Sequence, residues 1–355
     1  RAKPRKRRHV ETRYGVDWVH VPEGNINHLA PDVYVNVAAD AVVRQARLLR
    51  PSVIHAASNY LNALPALIAA RRLGVPFVYE VRGLWEVTEA SLKPGWDETQ
   101  RYVNQAAMET LVAREADAVL AITQEVADEL VRRGVSENKI TLLPNGVNTD
   151  EFLPLPRDTG YAAKRGIRTD VPVIGFAGSL VAYEGLDTLL QAANILRGRK
   201  VDFQVVIAGS GGVYPDLKSY QVRNKLQSRV KFVGRRPASE IARFMSCVDI
   251  VACPRTSLPV TEMVSPLKPL EAFSAAKPVV LSDVSPHRAL VGAVEGESAG
   301  PRGLLSRAGN PKSLANALQK LIEDPELRVS QGQAGRLWAV DERQWRNLGP
   351  LVRRV

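Results

Sequence analysis

Lys268 and Glu271, one helical turn apart, are the pair of residues whose types and spacing most directly indicate chemistry. They lie within the stretch 253–283, where a short predicted helix connects two apolar strands. Ser265 is suited to cap the start of that helix and Pro266 to its first position. A lysine in the first turn is unfavourable because its charge opposes the helix dipole. An anion held by both the lysine and the free backbone N–H groups would make this arrangement favourable. The pattern predicts an anion site; the alternative is a surface Lys268–Glu271 ion pair.

Glycine-bearing turns follow three predicted strands in the second half of the chain. Gly178 and Ser179 end VPVIGFAGS, Gly209 follows FQVVIA, and Arg235 stands in the GRR turn after VKFV. The carboxyl ends of parallel strands meet at one edge of a sheet, and open α/β sheets bind ligands there. These turns therefore predict a crevice suited to a nucleotide, although one glycine turn alone is weak evidence.

The elements that carry these residues alternate strand and helix along the chain. This order predicts an α/β fold with parallel sheets wound by helices. In the first half, Arg82 comes directly after the apolar strand VPFVYEV, at its carboxyl end. We expect Arg82 to contact an anion there; the alternative is an ion pair with Glu80 or Glu86.

Three segments carry a resemblance to a known family. The run EAFSAAKPVV (271–280) resembles the donor-binding signature of retaining glycosyltransferases of family four, in its PLKPLEA-type branch. The segments PNGVN (144–148) and IAGSGG (207–212) are similar to other parts of that family, and the likeness covers about residues 50–347. The resemblance implies the GT-B architecture, in which two Rossmann-like domains face each other across a cleft.

The sequence departs from the family pattern at several positions. Met263 stands where the first of two signature glutamates is expected, and Glu262 is the nearest carboxylate. Ser179 and Glu184 occupy positions where many relatives have Arg and Lys, and Arg82 stands where most have a histidine. Residues 1–50 do not contain the strand and glycine-rich loop that normally open the first domain, so we expect that domain to lack its first strand.

The resemblance also implies roles for individual residues. Glu271 is expected to hold the donor ribose, the 265–268 turn with Lys268 to hold the diphosphate, and Glu262 to contact the sugar. Arg255, just after DIVACP, is a second candidate for the phosphate charge; the alternative is a surface arginine. The predicted catalytic residues are Lys268, Glu262 and Arg82, and the predicted donor-binding residues are Gly178, Ser179, Gly209, Arg235, Arg255, Ser265, Leu267, Lys268 and Glu271.

The implied function is transfer of a sugar, with retention, from a nucleotide-diphosphate-sugar donor to a glycan or lipid-linked acceptor, as in polysaccharide biosynthesis. We expect no catalytic metal and no cofactor besides the donor substrate. Two alternatives remain open. A degenerate relative would bind sugar or a protein partner without turnover, which the departures favour. A sugar-nucleotide epimerase would need acid–base groups in the cleft, for which His55 and His287 are candidates.

The predicted domains are 1–153 on the acceptor side, a linker at 154–171, a donor-binding domain at 172–339, and a terminal helix at 340–355 that packs back on the first domain. A chain of 355 residues is long enough for two such domains.

The net charge of +11 is unevenly placed, since residues 1–8 alone carry six positive charges. Such a run is compatible with attraction to an anionic membrane surface, and nothing in the sequence supports nucleic-acid binding. No apolar run is long enough to cross a membrane, and Cys247 and Cys253 are predicted core thiols of a reducing compartment. These features predict a cytoplasmic protein, peripheral at the inner face of the membrane.

Overall fold

The computed structural model describes residues 8–21 and 28–353, so most of the basic run 1–8 lies outside the described residues. The described chain forms two parallel α/β units and a separate two-stranded hairpin. The hairpin pairs β1 (His9–Arg13) with β2 (Val16–His20), in a region whose sequence shows little periodicity. Tyr14 and Gly15 connect the strands with positive φ angles of 53° and 77°, as a tight two-residue turn requires.

The first unit is a four-stranded parallel sheet in the order β3-β4-β5-β6, flanked by helices. Its elements are α1 (Pro31–Leu49), β3 (Ile54–Ala57), α2 (Tyr60–Leu73), β4 (Phe77–Val81), α3 (Trp85–Leu92), α4 (Gln100–Glu115), β5 (Ala118–Ala121), α5 (Gln124–Arg132) and β6 (Ile140–Leu142). Buried apolar residues of the sheet and helices form its core. Helix α1 begins at Pro31, which suits a first helical turn.

The second unit is a seven-stranded sheet in the order β12-β13-β11-β10-β7-β8-β9, parallel except for β12. Its elements are α6 (Thr159–Arg165), β7 (Val173–Ser179), α7 (Leu186–Gly198), β8 (Gln204–Ser210), α8 (Tyr214–Arg223), β9 (Val230–Gly234), α9 (Ala238–Ser246), β10 (Ile250–Cys253), α10 (Pro259–Met263), α11 (Lys268–Ser274), β11 (Val279–Ser282), α12 (Ser285–Val291), β12 (Ala299–Gly300), β13 (Gly303–Ser306), α13 (Pro311–Glu323), α14 (Pro325–Glu342) and α15 (Trp345–Val352). Its core lies on both faces of the sheet.

The segment 154–171, predicted to be a linker, contains helix α6. Asp158 caps this helix by accepting a hydrogen bond from the backbone N–H of Tyr161 at 2.8 Å. Tyr161 and Ala162 are buried in the core of the second unit. A capped helix with a buried face belongs to the domain that buries it, so the first connection between the units consists of the few residues before α6.

The end of the chain returns to the first unit. Leu348 of α15 packs with Val78, Leu120 and Leu143 of the first sheet. The helix is shorter than the predicted 340–355, because α14 continues to Glu342 and α15 begins only at Trp345.

The helix that carries Lys268 also begins later than predicted. Lys268 is its first residue, so Ser265 is not the N-cap and no side chain caps this helix. The preceding residues are held by the first unit instead. Asn145 Nδ2 donates to the carbonyl of Ser265 at 2.9 Å, and Thr123 Oγ1 donates to that of Met263 at 2.7 Å. These bonds delay the start of the helix, and they are contacts across the cleft that sequence periodicity does not encode.

Candidate functional site

A cavity of about 660 Å³ lies between the two units, at the carboxyl ends of strands of the second sheet. It brings together every predicted site residue except Glu262. Its lining residues are Arg82, Asn145, Ala177, Gly178, Ser179, Tyr183, Glu184, Ala208, Gly209, Ser210, Arg235, Arg236, Ile241, Arg255, Val264, Ser265, Pro266, Leu267, Lys268 and Glu271. The crevice predicted from the glycine turns is therefore present in the fold.

Two of the predicted glycines are required by close packing at the cavity floor. A Cβ atom at Gly178 would lie 2.3 Å from Cε of Lys268, so the lysine stem passes directly over this glycine. A Cβ atom at Gly209 would lie 1.9 Å from the carbonyl oxygen of Gly178. Larger residues at either position would displace backbone or the lysine, which explains these glycines by sterics alone.

Lys268 is held by a carboxylate from another part of the chain. Its Nζ lies 2.7 Å from Oε1 of Glu184, and the ammonium also lies 5.2 Å from the ring centre of Phe176. The same Glu184 oxygen accepts a hydrogen bond from Nη2 of Arg255 at 3.2 Å. Glu184 and Arg255 are 2% and 8% exposed. The surface Lys268–Glu271 pair is therefore wrong, and so is the surface-arginine alternative for Arg255.

Glu271 lines the cavity without a hydrogen-bond partner among the described residues. Burial raises the pKa of this carboxyl to about 7, and the nearby positive charge of Lys268 only partly opposes that effect. A carboxylate that is largely desolvated but faces an open cavity can accept hydrogen bonds from ligand hydroxyl groups.

Arg82 reaches the cavity rim from the end of β4, but it already has a partner. Its Nε and Nη2 lie 2.7 and 3.1 Å from the two carboxylate oxygens of Glu80. Glu80 also lies 3.1 Å from Nε2 of His55. Burial opposes ionisation of Glu80, yet the hydrogen bonds from His55 and Arg82 lower its pKa to about 2. The ion-pair alternative for Arg82 is thus the one found.

Glu262 lies outside the lining of the cavity. Its carboxylate accepts hydrogen bonds from Ser257 Oγ at 2.5 Å and from the backbone N–H of Ser285 at 2.9 Å. Glu262 is therefore engaged in holding α10 to the start of α12. The expected contact between this residue and a donor sugar has no support in the geometry.

Two arginines that follow β9 add positive charge to the wall of the cavity. Arg235 is exposed and has no ion-pair or hydrogen-bond partner among the described residues. Arg236 lies 3.6 Å from Glu240, while its Nε is buried without a partner. The cavity therefore carries more cationic than anionic groups.

The lining residues that sequence reasoning missed include Asn145, Tyr183 and Glu184. Asn145 belongs to the recognised PNGVN run, so its segment was a usable signal. The sequence shows Glu184 only as a glutamate at a position where many relatives have a lysine. Its pairing with Lys268 spans 84 positions in sequence, and no local pattern announces a contact over that distance.

The two histidines of the epimerase alternative do not line the cavity. His287 is fully buried, and burial lowers its pKa to about 3. His55 is engaged with Glu80. In the described ranges 8–21 and 28–353, no group of three or more His, Cys, Asp and Glu residues could hold a metal ion. Within the same ranges, no helix is long and apolar enough to cross a membrane.

The chain matches two family models that together cover most of its length. Residues 159–338 match the glycosyl transferases group 1 model, and residues 1–146 match the glycosyl transferase 4-like domain model. Among curated proteins, D-inositol 3-phosphate glycosyltransferase of Kineococcus radiotolerans is 29% identical over 344 residues, covering 91% of this chain and 77% of that protein. The chain spans only 59–61% of three further proteins of that name.

Solved structures show the same fold at low sequence identity. Sucrose-phosphate synthase from Thermosynechococcus elongatus aligns with a TM-score of 0.74 at 20% identity, covering 97% of this chain and 85% of its own. HepE from Anabaena, solved in complex with UDP, aligns with a TM-score of 0.74 at 20% identity over 92% of this chain and 83% of its own.

Proposed function

Because the chain belongs to the group 1 glycosyl transferases, of family four and GT-B architecture, we propose that it transfers a sugar from a nucleoside-diphosphate-sugar to a hydroxyl group of a glycan or lipid-linked acceptor, with retention of configuration. The observation that carries this proposal is the cavity, where two glycine turns, Lys268, Arg255 and Glu271 converge. Backbone turns and cations suit a diphosphate, and a carboxylate suits ribose hydroxyls.

In the proposed step, the bond between the sugar C1 and the β-phosphate oxygen breaks, and its electron pair stays on the phosphate. The acceptor hydroxyl oxygen forms the new bond to C1, on the face from which the phosphate leaves. The proton of that hydroxyl passes to the leaving phosphate. The main task of the protein is then to stabilise the phosphate charge, which falls to Lys268, with Arg255 and Arg235 nearby.

We propose that these side-chain cations make a catalytic metal unnecessary. The seven-residue helix α11 is short, so the proposal rests on side chains rather than on a helix dipole. Transfer should therefore persist in the presence of EDTA. Loss of transfer with EDTA, restored by manganese or magnesium, would show that a metal carries this charge instead.

The direct test uses purified protein with UDP-glucose and GDP-mannose, the first chosen because HepE was solved with UDP. Sugar release to water or to a soluble acceptor is measured, and the anomeric configuration of the product is read by proton NMR. We expect turnover of one donor with retention. Inversion would refute the retaining mechanism, and exchange of another stereocentre would indicate an epimerase.

A sugar-nucleotide-binding protein without turnover is the second candidate. The observation that favours it is Glu184, whose carboxylate is bonded to both Lys268 and Arg255 and so offsets part of their charge. Binding of a sugar nucleotide with no detectable hydrolysis or transfer would support this candidate. Any turnover above a heat-inactivated control would exclude it.

We further propose that the basic run 1–8 attracts the protein to anionic lipid. Removing it should weaken binding to vesicles rich in phosphatidylserine and reduce its salt sensitivity. Turnover of a soluble acceptor should stay unchanged. A loss of that turnover would assign the run to the fold or the site.

A further inference from the structure

Glu184 is a buried negative charge in a cavity proposed to hold phosphates. Its Oε1 balances two cations at once, at 2.7 Å from Nζ of Lys268 and 3.2 Å from Nη2 of Arg255. Its Oε2 is buried and has no hydrogen-bond partner among the described residues. One carboxylate therefore faces two cations and retains an unused acceptor.

The backbone around Glu184 is fixed against the end of β10. A Cβ atom at Gly185 would lie 1.9 Å from the carbonyl oxygen of Pro254. On the other side, the backbone N–H of Thr256 donates to the carbonyl of Tyr183 at 3.0 Å. Both neighbours of Glu184 are therefore held, which restricts the backbone that carries the carboxylate beside the two cations.

The substrate and product of the proposed reaction differ in charge. The diphosphate of a sugar nucleotide carries two negative charges, since both phosphates are esterified. When the sugar leaves, the terminal phosphate keeps the electron pair and first takes the proton of the acceptor hydroxyl. That proton dissociates near neutral pH, because the second pKa of a phosphate monoester is about 6. The released nucleoside diphosphate then carries about three negative charges.

We propose that Glu184 sets the charge of this cavity so that it binds the sugar nucleotide but releases the nucleoside diphosphate. The inference rests on the proposed function. The cations at the cavity lining are Lys268, Arg255, Arg235, Arg236 and Arg82, and Glu184 offsets one of these positive charges directly beside Lys268 and Arg255. A fixed negative charge repels both ligands, but it repels the product more strongly because the product carries one more negative charge. Glu184 thereby limits product inhibition.

A purely structural role for Glu184 predicts a different result. If the carboxylate only neutralises cations, its removal should lower the stability of the protein. The ratio of product affinity to donor affinity should then stay unchanged. Glu86 offers a matched control, because it is fully buried, pairs with Arg133 at 2.7 Å, and also has an unpartnered Oε2. Glu86 does not line the cavity.

The experiment measures dissociation constants by calorimetry for UDP, UDP-glucose, GDP and GDP-mannose with the wild-type protein, Glu184→Gln and Glu86→Gln. For the nucleotide that binds, Glu184→Gln should tighten the diphosphate more than the sugar nucleotide. The ratio should shift by at least about tenfold, which is the effect of one unit charge roughly 12 Å away at an effective dielectric of about 20. A pre-steady-state burst should appear, because product release becomes slower.

An unchanged ratio, or weaker binding of both ligands, would overturn the proposal, and so would the same shift in Glu86→Gln. Should Glu184→Gln fail to fold, the exposed Arg235→Gln decides the question, since it should weaken the diphosphate more than the sugar nucleotide. An unchanged ratio there would also overturn it. If the wild-type protein binds neither these four nucleotides nor the adenosine and thymidine counterparts, the proposed function itself fails.

Discussion

Two clusters of cations and carboxylates, one in each unit, have different balances of charge. In the first unit, the guanidinium of Arg133 is bonded to Glu86 and Glu129, both at 2.7 Å, and Glu129 also pairs with Arg132, so the charges balance. In the second, Glu184 is bonded to Lys268 and Arg255, so cations are in excess. Each cluster contains a buried carboxylate oxygen without a partner.

The difference shows that burial and pairing alone do not identify a site. Both clusters satisfy the requirement that a buried charge have a partner, because an isolated one would cost several kcal/mol. Only the second lies on the wall of the 660 Å³ cavity between the units. Its surplus positive charge is available to an anionic ligand, whereas the Arg133 cluster is neutralised within the fold.

Replacing the central cation of each cluster should give the largest contrast. Lys268→Met keeps much of the stem that packs over Gly178 but removes the charge proposed to stabilise the leaving phosphate. Losing one such contact typically costs about 2.7–4 kcal/mol of barrier, so kcat should fall roughly a hundredfold to a thousandfold. Thermal stability should change little, because Glu184 keeps Arg255 as a partner.

Arg133→Met is the matched control for that change. It leaves the fully buried carboxylate of Glu86 without its guanidinium, which should lower the free energy of unfolding by about 3–5 kcal/mol. Kinetic constants of the remaining folded protein should stay near wild type. A wild-type kcat in Lys268→Met, or a kinetic defect in Arg133→Met that exceeds its unfolded fraction, would remove the contrast between the clusters.

The carboxyl groups of Glu271 and Glu109 extend the comparison between the two units, and we expect their replacement to change binding less than Lys268→Met changes kcat. Burial raises the pKa of both Glu271 and Glu109 to about 7. Glu109 accepts hydrogen bonds from Tyr79 and from the backbone N–H of Tyr60, whereas Glu271 has an open face toward the cavity. Glu271→Gln should weaken sugar-nucleotide binding roughly tenfold to a hundredfold, the usual value of about 1.5–3 kcal/mol for hydrogen bonds to a charged group.

Glu109→Gln should leave that affinity unchanged and alter only stability. Calorimetric titration and thermal unfolding of both variants provide the measurement. Equal affinity losses in the two variants would mean that Glu271 acts on the fold rather than on the ligand.

The raised pKa of Glu271 also predicts a pH dependence. The carboxyl is mostly protonated at pH 6 and mostly ionised at pH 8, and the ionised form is the stronger acceptor for ribose hydroxyls. Affinity for a sugar nucleotide, whose phosphates do not titrate in this range, should therefore rise from pH 6 to 8. The rise should be absent in Glu271→Gln, and its persistence there would assign it to another group.

The stability of the protein should change with pH in the direction opposite to the affinity for the sugar nucleotide. The pKa in the folded state, about 7, lies above the ordinary value of 4.5, so the folded protein binds the proton more tightly. The unfolding free energy of the wild type, relative to Glu271→Gln, should therefore fall as pH rises from about 4.5 to about 7. Chemical denaturation across this range measures it.

The site residues whose positions depend on local pattern and strand order could be predicted from the sequence. Gly178, Gly209 and Lys268 follow strand ends or begin a helix, so parallel topology alone brings them to one edge. Contacts between distant segments were not accessible. Glu184 meets Lys268 through tertiary packing, and the start of α11 depends on hydrogen bonds from Asn145 and Thr123 across the cleft.

The smallest expected effect concerns Glu262, the one predicted site residue outside the cavity lining. Its carboxylate accepts hydrogen bonds from Ser257 and from the backbone of Ser285, and a glutamine oxygen can replace one of these bonds. Glu262→Gln should therefore cost at most about 1 kcal/mol of stability. Its kcat and donor KM should stay near wild type, in contrast to Lys268→Met. Steady-state kinetics at saturating acceptor measure this difference. A loss of kcat comparable with that of Lys268→Met would mean that α10 moves during turnover and brings Glu262 to the donor sugar, so that the cavity described here is only part of the working site.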